Sequence, residues 1–208
     1  MIFRNTYLKR NDKTPKKLSL ILFLPFLLGP IESKLPKNQE LITVSNQITI
    51  NVNKSIVWNN LLEIPDLSKD ITPNFLTDIG IPKPQYSTYD KAENVRLGYF
   101  NNGIVLYEKV KSSTIEKELT LEILMDKSIL TNSPTLIHVP KNKGIEFESI
   151  QYQLEEVDEN TTILTLNCAY YLNTNLIYYG KFWSKLILND FENNLLKGLK
   201  HNIENNDN

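Results

Sequence analysis

Leu176-Ile-Tyr-Tyr-Gly-Lys-Phe-Trp-Ser-Lys-Leu-Ile-Leu-Asn-Asp-Phe-Glu-Asn-Asn-Leu-Leu-Lys-Gly-Leu-Lys-His-Asn-Ile203 is the stretch that decides the architecture of this chain. Apolar and aromatic residues recur at Leu176, Tyr179, Phe182, Trp183, Leu186, Ile187, Phe191, Leu195, Leu199 and Ile203, mostly three or four apart, which places them on one side of a helix. Lys181, Lys185, Asn189, Glu192, Asn193 and Lys200 fall largely on the other side. A helix this long draws little of its stability from propensity and needs a broad partner surface. Almost everything from Glu40 to Asn173 reads as strand and turn. The expected partner is therefore a curved antiparallel sheet, with a space between sheet and helix in which the protein works.

Immediately upstream, Ile145–Leu154 and Thr162–Leu172 read as a hairpin around Asp158-Glu-Asn160. Further back come strands at Tyr86–Tyr89, Val95–Phe100, Ile104–Val110 and Glu118–Met125. Asn101-Asn-Gly103 joins the second and third, since Asn and Gly tolerate the positive φ that tight hairpins require. Pairing across it as a two-residue loop sets Arg96 opposite Lys109 and diagonal to Glu108. The first strand shows the clearest period of two: Ile42, Val44, Ile48, Ile50 and Val52 alternate with Thr43, Ser45, Gln47, Thr49 and Asn51. Asn53 or Ser55 then caps a short helix carrying Val57, Trp58, Leu61 and Leu62, which Pro65 stops. Asp66–Leu76 reads as a second short helix. Asp126–Lys143 is a long loop of the kind that serves as a lid.

The 208 residues suit one domain plus an extra segment. The hydrophobic content of 41% and charged content of 23% are those of an ordinary folded protein, and a net charge of -1 gives no ground for a nucleic-acid partner. One cysteine, Cys168, forbids an internal disulfide. Residues 1–17 form a basic flank, and 18–31 contain the uncharged run Leu18–Leu28, too short for a confident spanning helix. That outline is expected to target a membrane, either as an uncleaved anchor or as a cleaved signal, with the domain on the extracytoplasmic side. The remaining organisation is a linker at 32–40, the domain at 41–204 and a polar tail at 205–208.

The order strand, two short helices, meander and long terminal helix is that of the helix-grip fold, an α+β class. Ile48-Thr-Ile-Asn-Val-Asn-Lys-Ser-Ile-Val-Trp58 resembles the opening of START-like (SRPBCC) proteins. Phe147-Glu-Ser-Ile-Gln-Tyr-Gln-Leu154 with Glu159-Asn-Thr-Thr-Ile-Leu-Thr-Leu166 is similar to their last hairpin, and Tyr178–Ile203 to their closing helix. Gly80-Ile-Pro-Lys-Pro84 and Arg96–Gly103 look like the polyketide cyclase/dehydrase-like branch. The resemblance covers 41–203 and implies a ligand cavity, with the ligand unnamed, because a shared fold does not choose a function.

No nucleotide fingerprint is present, and His138 and His201 lack neighbours at ligand spacing, so neither a metal nor a cofactor is expected. His138 is a candidate for the cavity mouth. Cys168 falls on an apolar strand phase and reads as a small buried residue rather than a nucleophile. Arg96 and Glu108 form a charged pair at the cavity floor if they point inward, or an ordinary surface pair if they point outward, and the outward arrangement is the expected one. Tyr152, Tyr170, Tyr179 and Trp183 either line a pocket or fill it. Three functions follow from these residues: binding, extending to transport, of a small hydrophobic or lipid-like molecule; a cyclase/dehydrase-type enzyme using a residue such as Glu108 or Tyr170; or an interaction module with a filled core.

Overall fold

Period-two alternation builds seven strands, and a thirty-residue helix crosses one face of the sheet they form. The computed structural model describes residues 36, 38–71, 75–78, 80–130 and 144–206. The chain divides into two units, Met1–Pro36 and Lys37–Asn208, and every helix and strand described belongs to the second. The basic flank and apolar run of 1–31 and the core of the lid-like loop, 131–143 with His138, lie outside the described residues. Among the described residues, no helix is long and apolar enough to cross a membrane.

The elements are β1 (Asn38–Ile50), α1 (Lys54–Leu62), α2 (Phe75–Asp78), β2 (Pro84–Asp90), β3 (Val95–Phe100), β4 (Val105–Thr114), β5 (Glu118–Ile123), β6 (Ile145–Asp158), β7 (Thr161–Thr174) and α3 (Ile177–Asn206). They form one antiparallel sheet in the order β1-β7-β6-β5-β4-β3-β2, so that the first strand lies beside the last. Register shifts on β2, β4 and β6 mark bulges, which increase local twist and bend the sheet around the helix. This is the α+β helix-grip architecture that the sequence leads one to expect.

Local chemistry explains most element boundaries. Asn53 accepts the Ser55 N–H at 2.8 Å and caps α1. β1 begins at Asn38, inside the segment expected as linker, because Asn38, Gln39 and Glu40 continue the ladder opposite Thr174, Asn173 and Leu172. Among the described residues the second short helix is Phe75–Asp78, and 66–71, expected as part of a helix over Asp66–Leu76, are not helical. Asp66 accepts both the N–H and the hydroxyl of Ser68, closing a local turn, and the Leu67 N–H goes to Gln85 on β2. The β3–β4 turn holds three residues, Asn101–Gly103, with Asn102 and Gly103 at φ 64 and 71. It therefore shifts the register by one, and Arg96 faces Glu108, not Lys109.

The core has a dense end and an open end. Leu195, Leu196, Leu199 and Ile203 of α3 meet Ile50, Val57, Leu61, Leu119, Leu121 and Leu164 in one continuous buried cluster. Toward its start, α3 is rotated relative to the stripe read from the sequence: Phe182 and Leu186 are exposed, at 59% and 42%, whereas Ser184 and Glu192, outside that stripe, are buried. A 3.6-residue period defines a stripe more than 100° wide, and the sheet selects its centre line, here through Ser184, Leu188 and Glu192.

At the dense end Gly198 fixes how closely α3 approaches the segment after α1. A Cβ there would stand 2.8 Å from Ile71 Cγ1 and 3.4 Å from Leu67 Cδ1. We expect Gly198→Ala to destabilise by about 1–2 kcal/mol in urea denaturation, because overpacking of roughly 1–3 kcal/mol outweighs a helix-propensity gain of up to ~1 kcal/mol. A stabilised variant would show that this approach is not tight.

Candidate functional site

Between α3, strands β2 to β7 and the segment linking α1 to β2, the sheet and helix stand apart and leave a cavity of about 440 Å³. Its wall is mostly apolar, with Leu106, Ile123, Met125, Phe147, Ile150 and Leu188 among the residues that shape it. The ionisable side chains in the wall are Arg96, Glu108, Tyr152, Cys168 and Glu192, together with the exposed Tyr86 on the edge strand β2 and the half-buried Tyr99 on β3.

The first polar group sits on β3 and β4. Alternation turns Arg96, Gly98 and Phe100 to the concave face, and the missing side chain at Gly98 leaves room beside the Glu108 carboxylate, 3.5 Å from where a Cβ would stand. Arg96 Nε donates to Glu108 Oε2 at 2.5 Å, Nη1 to the Leu61 carbonyl at 2.8 Å and Nη2 to Tyr152 Oη at 3.3 Å. The guanidinium also lies over the Tyr152 ring, 5.2 Å from its centroid. Both charged residues are 3% exposed, so the expectation of an outward surface pair is corrected: one step of register brings the two side chains face to face on the inner side. Burial opposes the Arg96 charge, but the Glu108 carboxylate and the Tyr152 phenol more than offset it, and its pKa is raised. Burial likewise raises the Tyr152 phenol.

The second polar group was assigned by its sequence spacing to the outer face of the helix. Glu192 is 1% exposed and belongs to the cavity wall. Asn46 on β1 donates through Nδ2 to Glu192 Oε2 at 2.6 Å. The orientation of Asn46 is set in turn by Asn193, whose Nδ2 donates to Asn46 Oδ1 at 2.9 Å and to the Asn189 carbonyl at 2.7 Å. Glu192 Oε1 has no partner among the described residues. Burial pushes this carboxyl up to about 7, against the pull of the Asn46 hydrogen bond. The signal for it was present in β1: Asn46 interrupts the inward phase Ile42, Val44, Ile48, Ile50, and a polar residue on a buried face needs a polar partner.

The other candidates divide. Tyr170 is fully buried and donates its hydroxyl to Ser184 Oγ at 2.7 Å, which places it behind the wall that Ser184 lines. Tyr179 and Trp183 lie outside the cavity wall, in an edge-to-face cluster with Phe182 at the start of α3, and Trp183 Nε1 is buried without a partner among the described residues. Cys168 lines the cavity, and burial, assisted by the Glu192 charge, pushes its thiol up to about 12, far from a reactive thiolate. His201 is exposed and meets Asp70 Oδ1 at 2.6 Å through Nδ1. No group of three metal-ligating side chains occurs among the described residues.

No protein-family model and no curated protein sequence matches the chain. Solved structures do. The Zhui aromatase/cyclase from Streptomyces sp. R1128 aligns with a TM-score of 0.53 and 8% identity over 79% of this chain and 94% of that one. A point mutant of norcoclaurine synthase from Thalictrum flavum, in complex with a transition-state analogue, gives 0.52 and 9% identity over 82% and 99%. A START superfamily protein from Mycobacterium smegmatis gives 0.49 and 8% identity over 78% and 97%. The class is thus a cavity-bearing α+β domain. Within that class, the chain has the helix-grip fold that the aromatase/cyclase and the norcoclaurine synthase share.

Two predictions follow from the buried charges. Glu108→Gln leaves the Arg96 guanidinium without its counter-ion and should destabilise by about 3–5 kcal/mol, whereas Arg96→Met with Glu108→Leu should cost far less than the single variants combined. Equal and additive losses in a double-mutant cycle would refute the coupling. For Glu192, the folded state holds its proton to about pH 7 rather than the ordinary 4.5, so its contribution to stability falls as pH rises between those values. Relative to wild type, Glu192→Gln should gain about 3 kcal/mol between pH 4.5 and pH 7.5, at about 1.4 kcal/mol per pKa unit. A difference that does not change with pH in urea titrations would refute the shift.

Proposed function

We propose that this protein binds one small, mainly apolar molecule in the space between α3 and the sheet. The observation that carries this reading is the cavity itself. Protein interiors ordinarily contain few voids larger than a water molecule, whereas this one is about 440 Å³ and falls within the size range of ligand pockets, roughly 300–1,000 Å³. Its composition supports the same reading: apolar walls supply affinity through buried area, and a few held polar groups set orientation. Other proteins of this fold include an aromatase/cyclase and a norcoclaurine synthase, which fits a fold that receives small organic molecules.

An enzyme of the cyclase/dehydrase type is the second reading, and Glu192 favours it, since a buried carboxyl titrating near 7 suits proton transfer. Neither Glu108, held by Arg96, nor Tyr170, held by Ser184, is equally free to exchange a proton.

The test is native mass spectrometry of the full chain purified from its own source. We expect a near-stoichiometric adduct that organic solvent releases. Ile150→Trp, which places a large ring in the cavity wall, should abolish that adduct while leaving the fold intact by circular dichroism. An empty wild-type protein that no apolar compound stabilises against heat would sink the binding function.

A further inference from the structure

We propose that Glu192 is the ligand anchor of this cavity, and that the molecule it suits is an apolar one carrying a hydrogen-bond donor, a protonated amine above all. The inference rests on the cavity being a binding site. Within it, each guanidinium nitrogen of Arg96 already holds a protein acceptor, and the positive charge is matched by Glu108. Glu192 is incomplete. Asn46 occupies Oε2, the Asn193 and Asn189 contacts prevent Asn46 from turning, and Oε1 is left buried and without a partner. An unmatched buried oxygen is costly unless something else satisfies it. In an apolar cavity of this size, a donor on the ligand does so.

The charge balance of the wall selects among donors. With Glu192 ionised, Arg96, Glu108 and Glu192 leave the described wall with one excess negative charge, which welcomes a cation and repels a carboxylate. An ammonium also forms the charge-assisted bond, stronger than a neutral hydroxyl provides. The other titratable groups facing Glu192 do not interfere. Cys168 and Tyr170 on β7 and Tyr152 on β6 are all raised by burial and stay protonated near neutrality. Asn46 on β1 does not titrate. On α1, Lys54 is paired with Glu156 on the outer surface, and Asp70, in the turn after α1, is held by His201 and Asn202.

Four eight- or nine-carbon probes test this on the full chain by isothermal titration calorimetry: octylammonium, octan-1-ol, nonan-2-one and octanoate. At pH 7.5 we expect octylammonium to bind at least tenfold more tightly than nonan-2-one, with octan-1-ol between them and octanoate weakest. Between pH 5.5 and 7.5 octylammonium should tighten roughly tenfold or more, because Glu192 loses its proton, while nonan-2-one, which needs that proton as donor, should weaken. Glu192→Gln should reverse the preference. Its carbonyl takes the Asn46 N–H, its amide N–H₂ faces the ligand, and octylammonium should lose at least tenfold while nonan-2-one is retained. The pH series on wild type carries the test if that variant does not fold. Equal affinities for octylammonium and nonan-2-one with flat pH profiles would overturn the anchor and leave the binding function standing. Binding of none of the four would overturn both.

Discussion

One long helix is too narrow to cover seven strands. A helix with its side chains is about 10–12 Å across, whereas seven strands at about 4.8 Å spacing extend over nearly 30 Å. Two ways exist to keep the uncovered apolar face from water: a second layer, or a sheet that curls. This chain does both in part. α1 and the segment after it cover one side of the C-terminal half of α3, and bulges on β2, β4 and β6 wrap the sheet around the rest. The wrap encloses more volume than the side chains of Ser184, Leu188 and Glu192 fill, and the remainder is the cavity.

Within that enclosure the chain treats buried charge in two opposite ways. Arg96 and Glu108 offset the desolvation cost together, with a backbone carbonyl and a phenol each accepting one further N–H. Such a cluster is matched in charge and has an acceptor on every guanidinium nitrogen, and for that reason it attracts a charged newcomer less than Glu192 does. Glu192 solves only half of the problem, through Asn46. The contrast matters more than the presence of either group. A satisfied network specifies the fold, whereas an unsatisfied one is where function is to be sought.

The fold was legible in the sequence because its two periodicities are long and clean. The alternation in β1 and β7 and the spacing of Leu195, Leu199 and Ile203 leave few other arrangements. The site was less legible, for specific reasons. The direction of Arg96 turned on whether Asn101-Asn-Gly103 contributes two or three residues to the turn, and the composition suits both. In α3, Phe182 and Leu186 look more buried than Glu192 by chemistry, yet the sheet selects position and not chemistry. Tyr179 and Trp183, read from the sequence as lining or filling the pocket, pack with Phe182 at the start of α3 instead. Asn46 was the one residue whose oddity pointed to Glu192, and a lone polar residue on an apolar strand face is easily passed over.

The uneven packing along α3 has a further consequence. Its last turns are packed into the buried cluster around Leu199, while its middle turns line the cavity and make fewer contacts with the sheet. A molecule that occupies the cavity adds contacts there, and at a hundredfold excess over its dissociation constant it adds about 2.7 kcal/mol to the stability of the whole. In a cell that degrades unfolded chains, a difference of that size changes abundance several-fold. On the binding function proposed above, the amount of this protein follows the supply of that ligand without any regulator acting on its synthesis.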